Sequence, residues 1–258
     1  MDKLHYRKRL VEAYNAPRGA FLALLFLFTA LSARAATYYW NPAVASGNWS
    51  DAASWCTDNK GTVPAADYPR TSSDTASFIA GTAADISFTE PLTIGTLGAN
   101  TANLNLRFVQ GGTSTNETQL TVSSFNPNAA NGAITLDGVA IRATGGSTIG
   151  QGRALRLVNG ANLHVGGDFY CRLGNSEVII SDGSWFSCNQ CSFGGGTIII
   201  DDSTVWTRSH GKIGDTLVGG HIVFKGAHPL WHHDNKDSSF YCALANANVQ
   251  FDFLVPVG

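Results

Sequence analysis

From residue 79 onward the chain alternates short apolar runs with clusters of Gly, Asn, Asp and Thr. Runs at 85–88, 92–97, 104–109, 119–122, 134–136, 155–158, 178–180, 198–200 and 222–224 read as strands, because aliphatic and aromatic residues in such short stretches suit a pleated, partly buried surface. The last five each enter a turn pair: Asp137-Gly138, Asn159-Gly160, Asp182-Gly183, Asp202-Ser203 and Lys225-Gly226. Counted at the second turn residue, these recur at steps of 22, 23, 20 and 23 residues. A second apolar stretch follows each turn, at 139–141, 163–165, 185–186, 205–206 and 229–231. A repeat this short leaves no room for a helix and is about half a propeller blade of roughly 40 residues. The pattern therefore predicts an all-β chain, a right-handed parallel β-helix with one coil per repeat and apolar columns stacked inside. The alternative is a β-sandwich or jelly roll, whose strands also recur with turn signals between them.

Residues 36–78 break this rhythm. Trp40, Trp49 and Trp55 fall close together with almost no aliphatic periodicity. Alternating Tyr38 and Trp40 predict a short first strand, Ser46-Gly47-Asn48 a turn, and Ser50-Asp51-Ala52-Ala53 a capped helical turn ending at Trp55. Large indoles here are expected to cover the open end of a solenoid core, since terminal coils need capping. The same rings, Trp40, Trp49 and Trp55, could instead form a platform that stacks on glycans.

Residues 1–19 carry Lys3, Arg7, Lys8, Arg9 and Arg18 ahead of a 14-residue apolar run, 20–33. That run is shorter than the roughly 18–20 residues that span a bilayer, and Ala33-Arg34-Ala35 has the small residues of an A-x-A cleavage site. The expectation is a signal peptide, 1–35, cut after Ala35; a buried core helix and an uncleaved anchor are the competing readings. The leader takes six of 17 Lys and Arg and two of 19 Asp and Glu, leaving 11 against 17, a net charge of −6. A mildly acidic exported chain keeps away from polyanions, so no nucleic-acid partner is expected.

The string Trp40-Asn41, Gly47-Asn48-Trp49-Ser50-Asp51-Ala52-Ala53-Ser54-Trp55, Pro64, Pro69 and Asp74-Thr75-Ala76-Ser77-Phe78 resembles the opening of bacterial autotransporter-associated β-strand repeat proteins. The resemblance implies a passenger-type region that continues as a Gly- and Thr-rich β-solenoid on the cell surface or outside the cell, with the periplasm as the other compartment.

Candidate chemistry is sparse. Cys171, Cys188 and Cys191 fall about one coil apart, which suggests buried thiols or a disulfide between stacked rungs; Cys188-Asn189-Gln190-Cys191 also has the spacing of half a zinc site or a redox pair. Cys56 and Cys242 bring the count to an odd five. His228, His232 and His233 cluster around Pro229, which reads as an exposed polar loop, with a weak metal site as the alternative. Asp201-Asp202 and Ser209-His210-Gly211 superficially match elements of polygalacturonase-like hydrolases. A third Asp in an N-T-D string is missing, however, and Asp202 occupies a repeat-turn position.

The reading that results has three parts: signal peptide 1–35, aromatic cap 36–78, and solenoid repeats 79–258 that continue in a longer protein. The expected function is a structural or adhesive surface module without catalytic activity, cofactor or metal, with a glycan-binding or polysaccharide-degrading β-helix as the alternative. Partners would be surface glycans or other cell-surface ligands. Membrane contact is expected only through the leader or a C-terminal anchor.

Overall fold

Inward Leu, Ile, Val and Phe recur at the same place in successive repeats, and this repetition is what stacks the chain. The computed structural model describes residues 35–258 except 100, 113–117, 128–130, 151, 172–174, 194, 214–219, 235–239, 243–248 and 255–258; the side chains of 193, 209–213, 240–242 and 249 are likewise outside the description. Residues 1–34 of the leader, with Ala33, lie outside the described residues, Ala35 is exposed, and the folded unit runs Ala36–Gly258.

The fold is a parallel β-solenoid. One sheet holds nine strands, in the order Ser46–Asn48, Ala83–Phe88, Leu104–Gln110, Gly132–Asp137, Arg153–Val158, Glu177–Ile180, Thr197–Asp201, Gly220–Lys225 and Val249–Leu254. Every neighbouring pair in it is parallel. A second, 13-stranded sheet contains two runs of strands, which meet in Trp185–Phe193 across a register shift between Cys188 and Gln190. The first of these contains Ala140–Ala143, Asn162–Val165 and the starts of Trp185–Phe193 and Thr204–Ile213. The second contains Ser147–Ile149, Phe169–Cys171 and the ends of those two long strands. Each later coil is therefore three-sided. A sandwich built from antiparallel hairpins is excluded, because the antiparallel strand pair among the described residues, Thr37–Trp40 with Trp55–Cys56, belongs to the cap.

In-register pairing turns the repeat into columns. Leu106, Ile134, Leu155, Val178, Ile198 and Ile222 stack in one, and Phe108, Leu136, Leu157, Ile180, Ile200 and Phe224 in the next. Across the interior, Leu120, Ile141, Leu163, Phe186 and Val205 form a facing column. All of these except Phe224 are buried, each contributing about 1.5–3 kcal/mol of apolar burial. The predicted turn pairs sit at the corner between the two sheets, in the left-handed backbone region: Gly138 (φ 63°), Asn159 and Gly160 (55° and 74°), Asp182 and Gly183 (58° and 71°), Asp202 (45°) and Gly226 (86°). Gly, Asn and Asp are the residues that tolerate this conformation.

The aromatic segment is continuous with the solenoid. Ser46–Asn48, expected as a turn, is a strand that opens the nine-stranded sheet by pairing with Asp85, Ile86 and Ser87; a ready-made edge overrides the turn preference of Gly and Asn. The expected helical turn is a 3-10 turn, Ala52–Ser54, capped by Asp51 Oδ1, which accepts from Ala53 N at 3.0 Å. Trp40, Trp49 and Trp55 are wholly buried. Trp55 meets Trp40 and Trp49 edge-on at 5.1 and 4.9 Å, and Trp49 stacks on Phe88 at 5.1 Å. Each indole N–H finds a carbonyl at 2.8 Å, on Val44, Pro69 and Trp49 respectively. With their faces in the core and their polar edges satisfied, the three rings cap the stack and are closed to glycan, contrary to the platform expected of Trp40, Trp49 and Trp55.

Asp74 ties the first residues down. Its buried carboxylate accepts from Thr71 N at 2.8 Å, Arg70 N at 3.1 Å and Ala36 N at 3.4 Å. Burial alone would raise its pKa, but the backbone N–H bonds outweigh it and hold the group below the ordinary carboxylate value.

Two predictions concern stability. A Cβ at Gly132 (φ 94°) would strike the Leu104 carbonyl, an atom of fixed backbone, whereas one at Gly183 (φ 71°) meets nothing within 4 Å. Gly183→Ala should cost about 1–2 kcal/mol for the left-handed backbone alone, and Gly132→Ala distinctly more; urea midpoints of residues 36–258 check the ranking. Asp74→Asn should cost about 1–3 kcal/mol at neutral pH. A lowered carboxyl pKa gives stability that is present above the unfolded value of about 3.9 and lost as pH falls through the folded one. The gap between wild type and Asp74→Asn should therefore close in denaturation series run below about pH 4.

Candidate functional site

Strand alternation sends every second residue of the Ala140–Ala143, Asn162–Val165, Trp185–Phe193 and Thr204–Ile213 face outward. In-register pairing lines these up in two columns: Ala140, Asn162, Trp185, Thr204 and Leu230, and beside it Arg142, His164, Ser187, Trp206 and His232. Trp185 and Trp206 are diagonal neighbours and stack at 5.4 Å with 24° between their planes. Trp206 continues onto His232 at 3.9 Å. Asp234 braces both: its Oδ2 accepts from Trp206 Nε1 at 2.6 Å, and its Oδ1 lies 3.2 Å from His232 Nε2. The result is an aromatic ladder on the outer face of a rigid sheet, with Trp185 still 37% exposed.

The ladder borders a shallow groove of about 300 Å³ lined by Arg142, Asn162, His164, Trp185, Ser187 and Arg208, among others. Its floor is polar and fixed. His164 Nδ1 and Ser187 Oγ share a hydrogen bond of 2.8 Å, whose direction follows the imidazole tautomer. Burial, reinforced by Arg208 and Arg142, holds His164 below its ordinary pKa. The groove thus offers an indole face, a neutral imidazole, an amide, and two guanidinium groups at its rim, a set suited to binding hydroxyl-rich or anionic molecules.

In the sequence 185–186 and 205–206 read as apolar stretches, and neither indole stands out. The signal was present in the repeat alignment: Phe186 and Val205 continue the Leu163 column inward, so Trp185 and Trp206 must point out. The stretch around His232 differs from the loop expected for the histidines and agrees with the apolar stretch expected at 229–231. Leu230–His233 is a strand paired with Thr204–Thr207, because Pro229, which lacks an N–H, stands just outside the ladder. His233 Nδ1 lies 2.9 Å from Thr207 Oγ1. Among the described residues no three Cys, His, Asp or Glu side chains are placed to hold a metal ion.

Cys56, Cys171, Cys188 and Cys191 are free and buried, so the expected bridge among Cys171, Cys188 and Cys191 is absent. Cys171 pairs with Phe193, and Cys191 with Phe169. One rung of about 4.8 Å and two residues of about 3.3 Å each put the Cys171 and Cys191 Cα atoms about 8 Å apart, beyond the roughly 7 Å reach of a disulfide. Burial pushes the Cys171 thiol up to about 12, and burial together with the Cys188 thiol raises Cys191; an activated redox thiol is shifted the other way. Cys242 and His210 have side chains outside the described residues. Asp201 pairs with Lys225 Nζ at 2.8 Å, and Asp202 accepts from His228 N at 2.7 Å. Both acids hold the corner of the coil.

His164 should titrate below the free value of about 6.5. Arg208→Ala should restore only part of the shift, since burial leads. The ring is neutral in the fold and more easily protonated when unfolded, so its stability contribution is complete above about pH 6.5 and declines as pH falls through it. An NMR titration of His164 checks both statements, and a midpoint at or above the free value would refute them. Comparison with protein-family models, with curated proteins and with solved structures gives no match.

Proposed function

We propose that the chain is an exported, non-catalytic adhesive β-solenoid that binds carbohydrate along its outer face. The observation that carries this reading is the Trp185–Trp206–His232 ladder, set beside a groove of fixed polar groups. Indole faces pack on the C–H surfaces of sugars, while amide, imidazole and guanidinium groups bond the hydroxyls. The columns repeat at the strand spacing, so the face suits an extended chain lying across several rungs. Export is supported by the basic and apolar leader, and a surface role by the resemblance of 40–78 to passenger-type proteins. A rod of parallel coils gives such a module its reach and stiffness.

A panel of neutral and acidic polysaccharides, titrated into residues 36–258 with indole fluorescence as the readout, tests the reading. Binding should quench or shift Trp emission. Trp185→Ala and Trp206→Ala should each weaken it about tenfold, equivalent to about 1.4 kcal/mol, while Trp206→Phe retains most of it. Release of reducing ends or unsaturated products from the same panel would instead favour a polysaccharide-degrading β-helix.

A further inference from the structure

The charge around the groove narrows the ligand. Arg142 and Arg208 are both exposed, and both stand near enough to His164 to act on its ring. Among the described residues that line the groove there is no carboxylate. Elsewhere Arg70 pairs with Asp67, Arg107 with Asp85 and Asp137, and Arg156 with Glu177, while buried Arg153 donates to the Thr101 carbonyl at 2.8 Å. Of the arginines described, then, the two at the groove are those whose guanidinium groups have no acceptor among the described residues. They are held there in a mature chain whose net charge is −6.

We infer that the groove takes an acidic glycan, with Arg142 and Arg208 receiving its anionic groups while Trp185 and Trp206 stack on its rings. The inference rests on the carbohydrate reading above and gives that ligand its charge. A guanidinium fork matches a carboxylate or sulfate ester in bidentate fashion, which a lone hydroxyl cannot reproduce. Arg142 and Trp206 share one outward column three rungs apart, about 14 Å at about 4.8 Å per rung. The ligand is therefore an oligomer and not a single sugar. The overall negative charge disfavours a densely charged nucleic acid, because repulsion from the rest of the surface is felt within about 8 Å at physiological salt; anions spaced along a sugar chain can each meet one arginine.

Four probes test this by calorimetry on residues 36–258: a galacturonic acid hexamer, the same hexamer fully methyl-esterified, a sulfated galactan oligosaccharide lacking carboxylates, and an oligothymidylate of matched charge. The acid hexamer should bind at least about tenfold more tightly than its ester. The double variant Arg142→Ala/Arg208→Ala should bring the acid down to the level of the ester, with unchanged far-UV circular dichroism to show that the fold is kept. Stronger binding of the sulfated galactan would support the inference with sulfate as the anion. Equal binding of acid and ester would overturn it and leave the carbohydrate reading intact. Failure of every saccharide would sink both, and preference for the oligothymidylate would replace the glycan with a single-stranded nucleic acid.

Discussion

Parallel backbone hydrogen bonds between successive rungs fix which way every side chain points. Because the side-chain period of a strand is two residues, a slip of one residue in any rung would exchange the inner and outer sets of that rung. The observed pairing keeps Leu163, Phe186 and Val205 inside and His164, Ser187 and Trp206 outside over three consecutive rungs. The core and the groove are thus two faces of one register. The corner residues that permit it, Asn159-Gly160 and Asp182-Gly183 in the left-handed region, set where each rung restarts.

A stack held by neighbours has an exposed first layer, and the N-terminal segment resolves this with aromatic volume. Three indoles and Phe78, Phe88 and Phe108 form one contact network across the first coils. The cost of burying three indole N–H groups is offset because each meets a backbone carbonyl. Asp74 does the same for the chain entry by binding backbone N–H groups at Ala36, Arg70 and Thr71.

Much of this was legible in the sequence. The turn pairs and the spacing between them gave the coil, and the segment rich in Trp gave the cap. What was not legible depended on phase. In Trp185-Phe186 and Val205-Trp206 two large residues are adjacent, and only the neighbouring rungs decide which one enters the core. Likewise Ile198, Ile199 and Ile200 look alike, yet Ile198 and Ile200 are buried while Ile199 points outward. Ser46–Asn48 has turn preferences, and His232 and His233 have loop preferences beside the apolar stretch 229–231; both segments form strands because an existing edge templates them. The cysteine spacing of one coil was visible, whereas the two-residue offset between Cys171 and Cys191 was a matter of register.

The same dependence explains how the proposed binding face sits on this scaffold without a loop. Side chains on a sheet lack the freedom of loop residues, so Trp206, held by Asp234 and between Trp185 and His232, loses little entropy on meeting a ligand. Its neighbours are equally constrained, with Ser187 bonded to His164. The guanidinium groups at the rim are the adjustable part, each on a long stem and without a partner among the described residues. In the proposed complex, rigid rings would recognise shape and the long-stemmed guanidinium groups would meet anions, dividing the recognition of an extended polar chain between parts of different stiffness. The rung spacing would then determine how many of its units are read.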